Sequence, residues 1–127
     1  MNRKLFISAS VLGVIAVIVG AFAAHGLKPL ISFEAMQSFE TGVRYQMYHA
    51  FLLLFVGLSA TLPETVKKGI LYLVLLGVVL FSGSIYGLAT DTLTSFNFKS
   101  IALVTPVGGL LLISAWIVML ISFVRIK

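Results

Sequence analysis

The chain has 127 residues, 60% of them hydrophobic and only 10% charged, with a mean hydropathy of +1.13; a soluble domain carries about 25% charged residues, so lipid must be part of this one's solvent. The absence of cysteine removes disulfides, thiolate metal sites and thiol redox chemistry. The formal charge of +5 fits loop lysines and arginines facing anionic lipid, not nucleic acid, because no basic helix or aromatic-basic platform accompanies it.

Four apolar stretches approach the length of about 20 residues needed to cross a bilayer. They cover residues 5–24, 45–62, 70–89 and 101–124, and together predict an all-α, polytopic membrane protein with one four-helix transmembrane domain over residues 1–127. The first stretch follows Arg3 and Lys4 and ends in Ala-Phe-Ala-Ala, an order that a secretory signal also shows. Its apolar run exceeds a normal signal core, and Gly13 and Gly20 recur as packing residues do, so a retained helix is expected. Ala16, Gly20 and Ala24 place a small residue at every fourth position, the spacing that lets two membrane helices approach closely.

The connection from His25 to Arg44 has a helical pattern of its own. Ser32 is a good N-cap, and Glu34 suits the positive end of the helix dipole. Phe33, Met36, Phe39 and Val43 recur at spacings of three or four between polar residues, which predicts a short amphipathic helix at the membrane interface. Glu40 and Arg44 are spaced for an ion pair on one helix face.

The second span begins with its most polar residues, in Arg-Tyr-Gln-Met-Tyr-His at 44–49. The third carries Ser82, Ser84 and Tyr86 towards its end, with Gly83 and Gly87 as a GxxxG pair. The fourth opens with Thr105-Pro106-Val107-Gly108-Gly109. Proline is tolerated at a first helical position, so Thr105 is read as a cap and Pro106 as the first helical residue, with a proline kink in a longer helix as the competing account.

Orientation follows from the Lys and Arg residues that flank the spans. With the N-terminus inside, Arg3, Lys4, Lys67, Lys68, Arg125 and Lys127 are cytoplasmic, while Lys28, Arg44 and Lys99 lie outside. Both termini are therefore expected in the cytoplasm. His25, Arg44, Tyr45, His49, Ser82, Tyr86 and Thr105 then share the outer third of the bundle. Polar groups at that depth are costly against lipid and should face inward and pair. Two readings stay open. The network satisfies itself while Tyr45, Tyr48 and Tyr86 anchor the interface, or it forms an outward-facing pocket for an anionic or proton-bearing ligand.

Gly20-Ala-Phe-Ala-Ala-His-Gly-Leu-Lys28, Thr41-Gly-Val-Arg-Tyr-Gln-Met-Tyr-His-Ala50, Leu80-Phe-Ser-Gly-Ser-Ile-Tyr-Gly-Leu88 and the stretch from Thr105 to Trp116 resemble the YgdD-like family of small bacterial inner-membrane proteins. The eukaryotic transmembrane protein 256 branch looks like a relative. The family usually reads Gly-Ala-Phe-Gly-Ala-His where this chain has residues 20–25, and Gly-Trp where it has Ala115-Trp116; both changes exchange one small residue for another. The resemblance implies a four-helix protein of the bacterial cytoplasmic membrane and no assigned reaction.

Two classes of function remain. One is a non-enzymatic accessory or structural membrane component, partnered by the lipid bilayer and by a second copy or a larger complex. The other is a small transporter or ligand- or lipid-binding protein that uses the outer cluster. Proton-coupled antiport needs a membrane-embedded carboxylate, and no Asp or Glu lies inside a predicted span. The histidines have no acidic partner at a spacing suited to a metal or a nucleophile, so no catalytic residue, metal or cofactor is expected. Helix contacts are expected at Ala16, Gly20, Ala24, Gly83, Gly87, Pro106, Gly108 and Gly109.

Overall fold

A computed structural model describes residues 1–94 and 102–126, and every regular element among them is helical. The helices are α1 (Asn2–Phe22), α2 (Phe33–Leu58), α3 (Glu64–Val78), α4 (Ser84–Ala89) and α5 (Val104–Arg125). A π-helical turn, Ala23–Leu27, extends α1, and a second, Val79–Gly83, joins α3 to α4 in one continuous rod. Among the described residues, three segments are long and apolar enough to cross a membrane: Asn2–Leu30, Glu64–Ala89 and Val104–Arg125. Lys99, Lys127 and the expected start of the last span at residue 101 lie outside the described residues.

The helix α2 has 26 residues but is not among those three. Its uninterrupted apolar run begins only at Ala50, and the turns before it carry Arg44, Gln46 and His49. The amphipathic segment expected before the second span is the beginning of this same helix. Nothing between Glu40 and Tyr45 breaks it, since a lone glycine at 42 costs a helix only about 1 kcal/mol. Ser32 caps it as expected, its Oγ accepting from the Ala35 amide at 3.1 Å. Met36 and Phe39 do not lie on a membrane surface; they pack with Ala23, Leu27 and Ala89 into a small core at one end of the bundle. Phe33 remains exposed.

The main core fills the rest of the bundle. Leu5, Leu53, Val56, Ile70 and Val74 are among its fully buried members, and Leu112 and Ala115 of α5 close it. Close approach rests on the expected Gly108 and on three glycines outside the motifs, Gly42, Gly57 and Gly77. A Cβ on Gly108 would collide with the backbone of Leu80 and Phe81, so α5 touches the π-turn main chain to main chain. A Cβ on Gly42 would lie 2.8 Å from the Tyr86 ring, and Gly57 and Gly77 are similarly closed by Phe6 and Leu112. Gly20 meets Val43 and Gly109 is in ordinary contact with Phe81, whereas Gly83 has nothing within 4 Å. Ala16 is buried, but Ala24 is exposed.

The last helix starts at Val104, with no side chain capping it. Thr105 is thus a first-turn residue and not the cap, because its hydroxyl is engaged with Ser84 across the bundle. Pro106 still falls in the first turn, where a missing amide breaks no intrahelical bond, so no kink is needed.

Candidate functional site

The helix α2 positions most of the polar residues in question. Its outward face carries Arg44, Tyr45, Tyr48, Phe51 and Phe55, all exposed, while Gln46 and His49 turn inward and are 3% and 4% exposed. From Tyr45 onward the helix therefore hides Gln46 and His49 and shows its aromatic side chains, the reverse of a water-soluble surface helix.

Gln46 is the hub. Its Nε2 donates to the carbonyl of Leu12 in α1 at 2.9 Å, and its Oε1 accepts from the Tyr86 hydroxyl of α4 at 2.7 Å. One turn away, Ser82 donates to the Gly42 carbonyl at 2.7 Å, with its side chain wholly enclosed. Phe39 lies against the Tyr86 ring, centroids 4.9 Å apart. Ser84 and Thr105 share a hydrogen bond that ties α4 to α5. These bonds link α1, α4 and α5 to α2, α5 by way of α4.

His49 makes a separate pair. Its Nδ1 lies 2.6 Å from the Tyr45 carbonyl, which can only accept, so Nδ1 carries the proton. Its Nε2 lies 3.2 Å from Trp116 Nε1, which can only donate. The two neighbours together select the neutral imidazole protonated on Nδ1, with both nitrogens used. Trp116 stands edge-on to the imidazole at a centroid distance of 6.2 Å.

Of the seven residues expected around one pocket, the structure brings Ser82 and Tyr86 to α2, and His49 to α5, through different partners. Thr105 joins Ser84. Tyr45 stacks on Phe81 and Tyr48, with centroids 5.2 and 5.6 Å away. His25 is exposed on the first π-turn, its Nδ1 3.0 Å from the Ala21 carbonyl of its own helix. Arg44 is exposed and donates to Thr41 at 3.0 Å, and no ion pair joins it to Glu40 among the described residues. Neither His25 nor Arg44 is hydrogen-bonded to the other five. The sequence reading missed Gln46, although its position one turn before Ala50 in an apolar helix was the available signal.

Apolar grooves on the bundle surface are lined elsewhere. One of about 480 Å³ runs along Ile113, Trp116 and Leu120, and another of about 470 Å³ follows Gly13, Val17 and Phe51 between α1 and α2. Neither touches the seven residues.

Among the described residues, a helical bundle with three membrane-length apolar segments and interhelical hydrogen bonds in its interior defines a polytopic membrane protein. The family model described as "Protein of unknown function (DUF423)" matches residues 19–109. The chain is 38% identical over 120 residues to a UPF0382 membrane protein of Staphylococcus haemolyticus, covering 94% of both chains. It is 36% identical to the UPF0382 membrane protein of Haemophilus influenzae over 92% of this chain and 90% of that one. It is also 35% identical to the UPF0382 inner membrane protein YgdD of Escherichia coli K12, over 99% and 93%. The chain belongs to this DUF423 (UPF0382) family of membrane proteins. No solved structure matches it.

Proposed function

We propose that the protein is a non-enzymatic accessory or structural component of the bacterial cytoplasmic membrane, one four-helix transmembrane domain with both termini in the cytoplasm. The observation that carries this reading is the state of the buried polar groups. The buried Gln46, His49, Ser82 and Ser84 and the half-buried Tyr86 are bonded to neighbours within the chain, and no fully enclosed side-chain nitrogen or oxygen among the described residues lacks a partner. A group that acts on a substrate needs a free donor, acceptor or lone pair, and these side chains use theirs to hold helices together. The inward polarity of α2 supports a fourth span, because its lipid-facing side offers aromatic and aliphatic groups. A relative named as an inner membrane protein supports the location, and the six-to-three Lys and Arg distribution supports the orientation. An assembly with a second copy or a larger membrane complex is the partnership this role implies.

The alternative, a ligand-binding or transport role at the outer end, draws on His25 and Arg44, whose donors remain near the surface with only local partners.

Two measurements test the proposal. In the cysteine-free background, Thr92→Cys should react with an impermeant thiol reagent from the periplasm, and Lys68→Cys should not; the reverse pattern overturns the orientation. Mass measurement in mild detergent should give an assembly of fixed stoichiometry. A monomer that binds or moves a small anion in liposomes, and loses this with Arg44→Gln, would establish the alternative instead.

A further inference from the structure

The opposite end of the bundle, where the chain starts and α3 begins, is built differently. Lys67 is 3% exposed and donates to Asn2 at 2.9 Å, a neutral partner that leaves its charge uncompensated. Arg3, Lys4, Lys68 and Arg125 lie at the same end, with Glu64 as the acid among them; Glu64 sits 4.0 Å from the Met1 nitrogen. Arg125 makes no ion pair or hydrogen bond among the described residues.

A groove of about 380 Å³ opens here between the start of α3 and the end of α5. Pro63, Val66, Val118 and Ile121 line it with hydrocarbon, Ser122 contributes a hydroxyl, and Arg125 belongs to the same lining. Ser122 is mostly buried, but its hydroxyl reaches the groove surface and has no hydrogen-bond partner among the described residues. Elsewhere in the bundle Ser10 and Ser114 return their hydroxyls to the carbonyl four residues back. A hydroxyl that opens onto an apolar cleft with no partner gains a hydrogen bond when an acceptor occupies the cleft.

We propose that this groove is a binding site for one anionic phospholipid. An acyl chain lies along the apolar walls, Arg125 takes the phosphate with its planar fork of donors, and the Ser122 hydroxyl donates to an ester oxygen at the head of the chain. Lys67 adds a positive field one residue from the Val66 wall. Hydrocarbon walls, a single free donor and an unpaired guanidinium follow the order of groups along such a lipid, from tail through ester to phosphate. This site stands apart from the outer polar residues and holds whether the bundle is an accessory subunit or a ligand binder.

Native mass spectrometry of the full chain tests it, with phosphatidylglycerol and phosphatidylcholine of identical acyl chains supplied in equal amounts. One phosphatidylglycerol should be retained with a preference of about fivefold, the ratio corresponding to roughly 1 kcal/mol for one cation at a lipid surface. Arg125→Ala should abolish the preference, and Ser122→Leu, which fills the groove, should lower retention of both lipids. Lys68→Ala, at the same end but outside the lining, should leave the preference intact. Excess inorganic phosphate should not displace the lipid, because the chain contributes to its hold. Equal retention of both lipids by the wild type overturns the proposal. So does an unchanged preference in Arg125→Ala, an equal loss in Lys68→Ala that would reveal only diffuse surface charge, or displacement by phosphate alone. Arg125 is exposed near the end of its helix, so its truncation leaves the bundle folded, and a wild-type melting temperature verifies this.

Discussion

The two antiparallel helix pairs of this bundle are held together by different chemistry. α1 and α2 meet through a side chain that reaches across to a backbone carbonyl, Gln46 to Leu12, and this bond extends to Tyr86. α3 and α5 meet where Gly108 lets one backbone lie on another at Leu80 and Phe81, with Leu112 seated on Gly77. In lipid there is no hydrophobic force to drive helices together, so contact must come from dispersion at short range or from hydrogen bonds. Glycine contacts occur in both pairs, Gly57 meeting Phe6 in the first, but the glutamine bond belongs to the first pair alone and the main-chain contact at Gly108 to the second. The lesson is that the pairs should fail differently: the glycine contact by steric exclusion, the glutamine contact by loss of a polar partner.

The largest effect should come from Gly108→Leu. No rotamer relieves a clash with main chain, so α5 must move off the π-turn, at roughly 3 kcal/mol or more on the scale of overpacked cores. Thermal unfolding in a single detergent reads it, and a wild-type midpoint would remove the glycine contact from the comparison. Gln46→Leu comes next. It keeps the volume but removes the donor to the Leu12 carbonyl and leaves the half-buried Tyr86 hydroxyl without its acceptor, at about 1–3 kcal/mol. The double variant Gln46→Leu with Tyr86→Phe should recover part of that loss, which sharpens the distinction between a polar and a steric contact. Trp116→Phe removes the donor to His49 while keeping an aromatic ring, and should cost about 0.6 kcal/mol, the average for an interhelical hydrogen bond in a membrane protein. Gly83→Ala should have the smallest effect, since its Cβ enters open space; a loss of thermal stability in the isolated monomer would contradict the helix face described here.

Much of this architecture was legible in the sequence. The helix at 33 and its Ser32 cap follow from local chemistry that acts within four residues, and the apolar segments follow from composition. The packing glycines were harder to identify. A GxxxG at 83 and 87 has the right spacing, but spacing alone does not say which way a helix face turns, and the enclosed glycines at 42, 57 and 77 belong to no repeat. The outer cluster was legible in part. Depth along the helix placed Ser82, Tyr86 and His49 at similar heights, and each does bond to another helix. Depth says nothing of azimuth, so it grouped Arg44 and His25 with them, though both are exposed and bonded within their own segments. Thr105 was read as a local cap because its long-range partner, Ser84, is 21 residues away in the chain.

The inward polarity of α2 has a consequence for biogenesis. Insertion machinery samples a segment largely by its average apolarity, and this one is diluted by Arg44, Gln46 and His49. Taken alone it is a poor solute for lipid; once Gln46 has found the Leu12 carbonyl and His49 the Trp116 indole, those two polar side chains no longer meet hydrocarbon. On the four-span reading proposed above, α2 would enter the bilayer as a follower, carried by an already inserted α1 and sealed when α5 arrives. A chain truncated before α5 should leave α2 at the translocon or at the membrane surface, where quality-control proteases find their substrates.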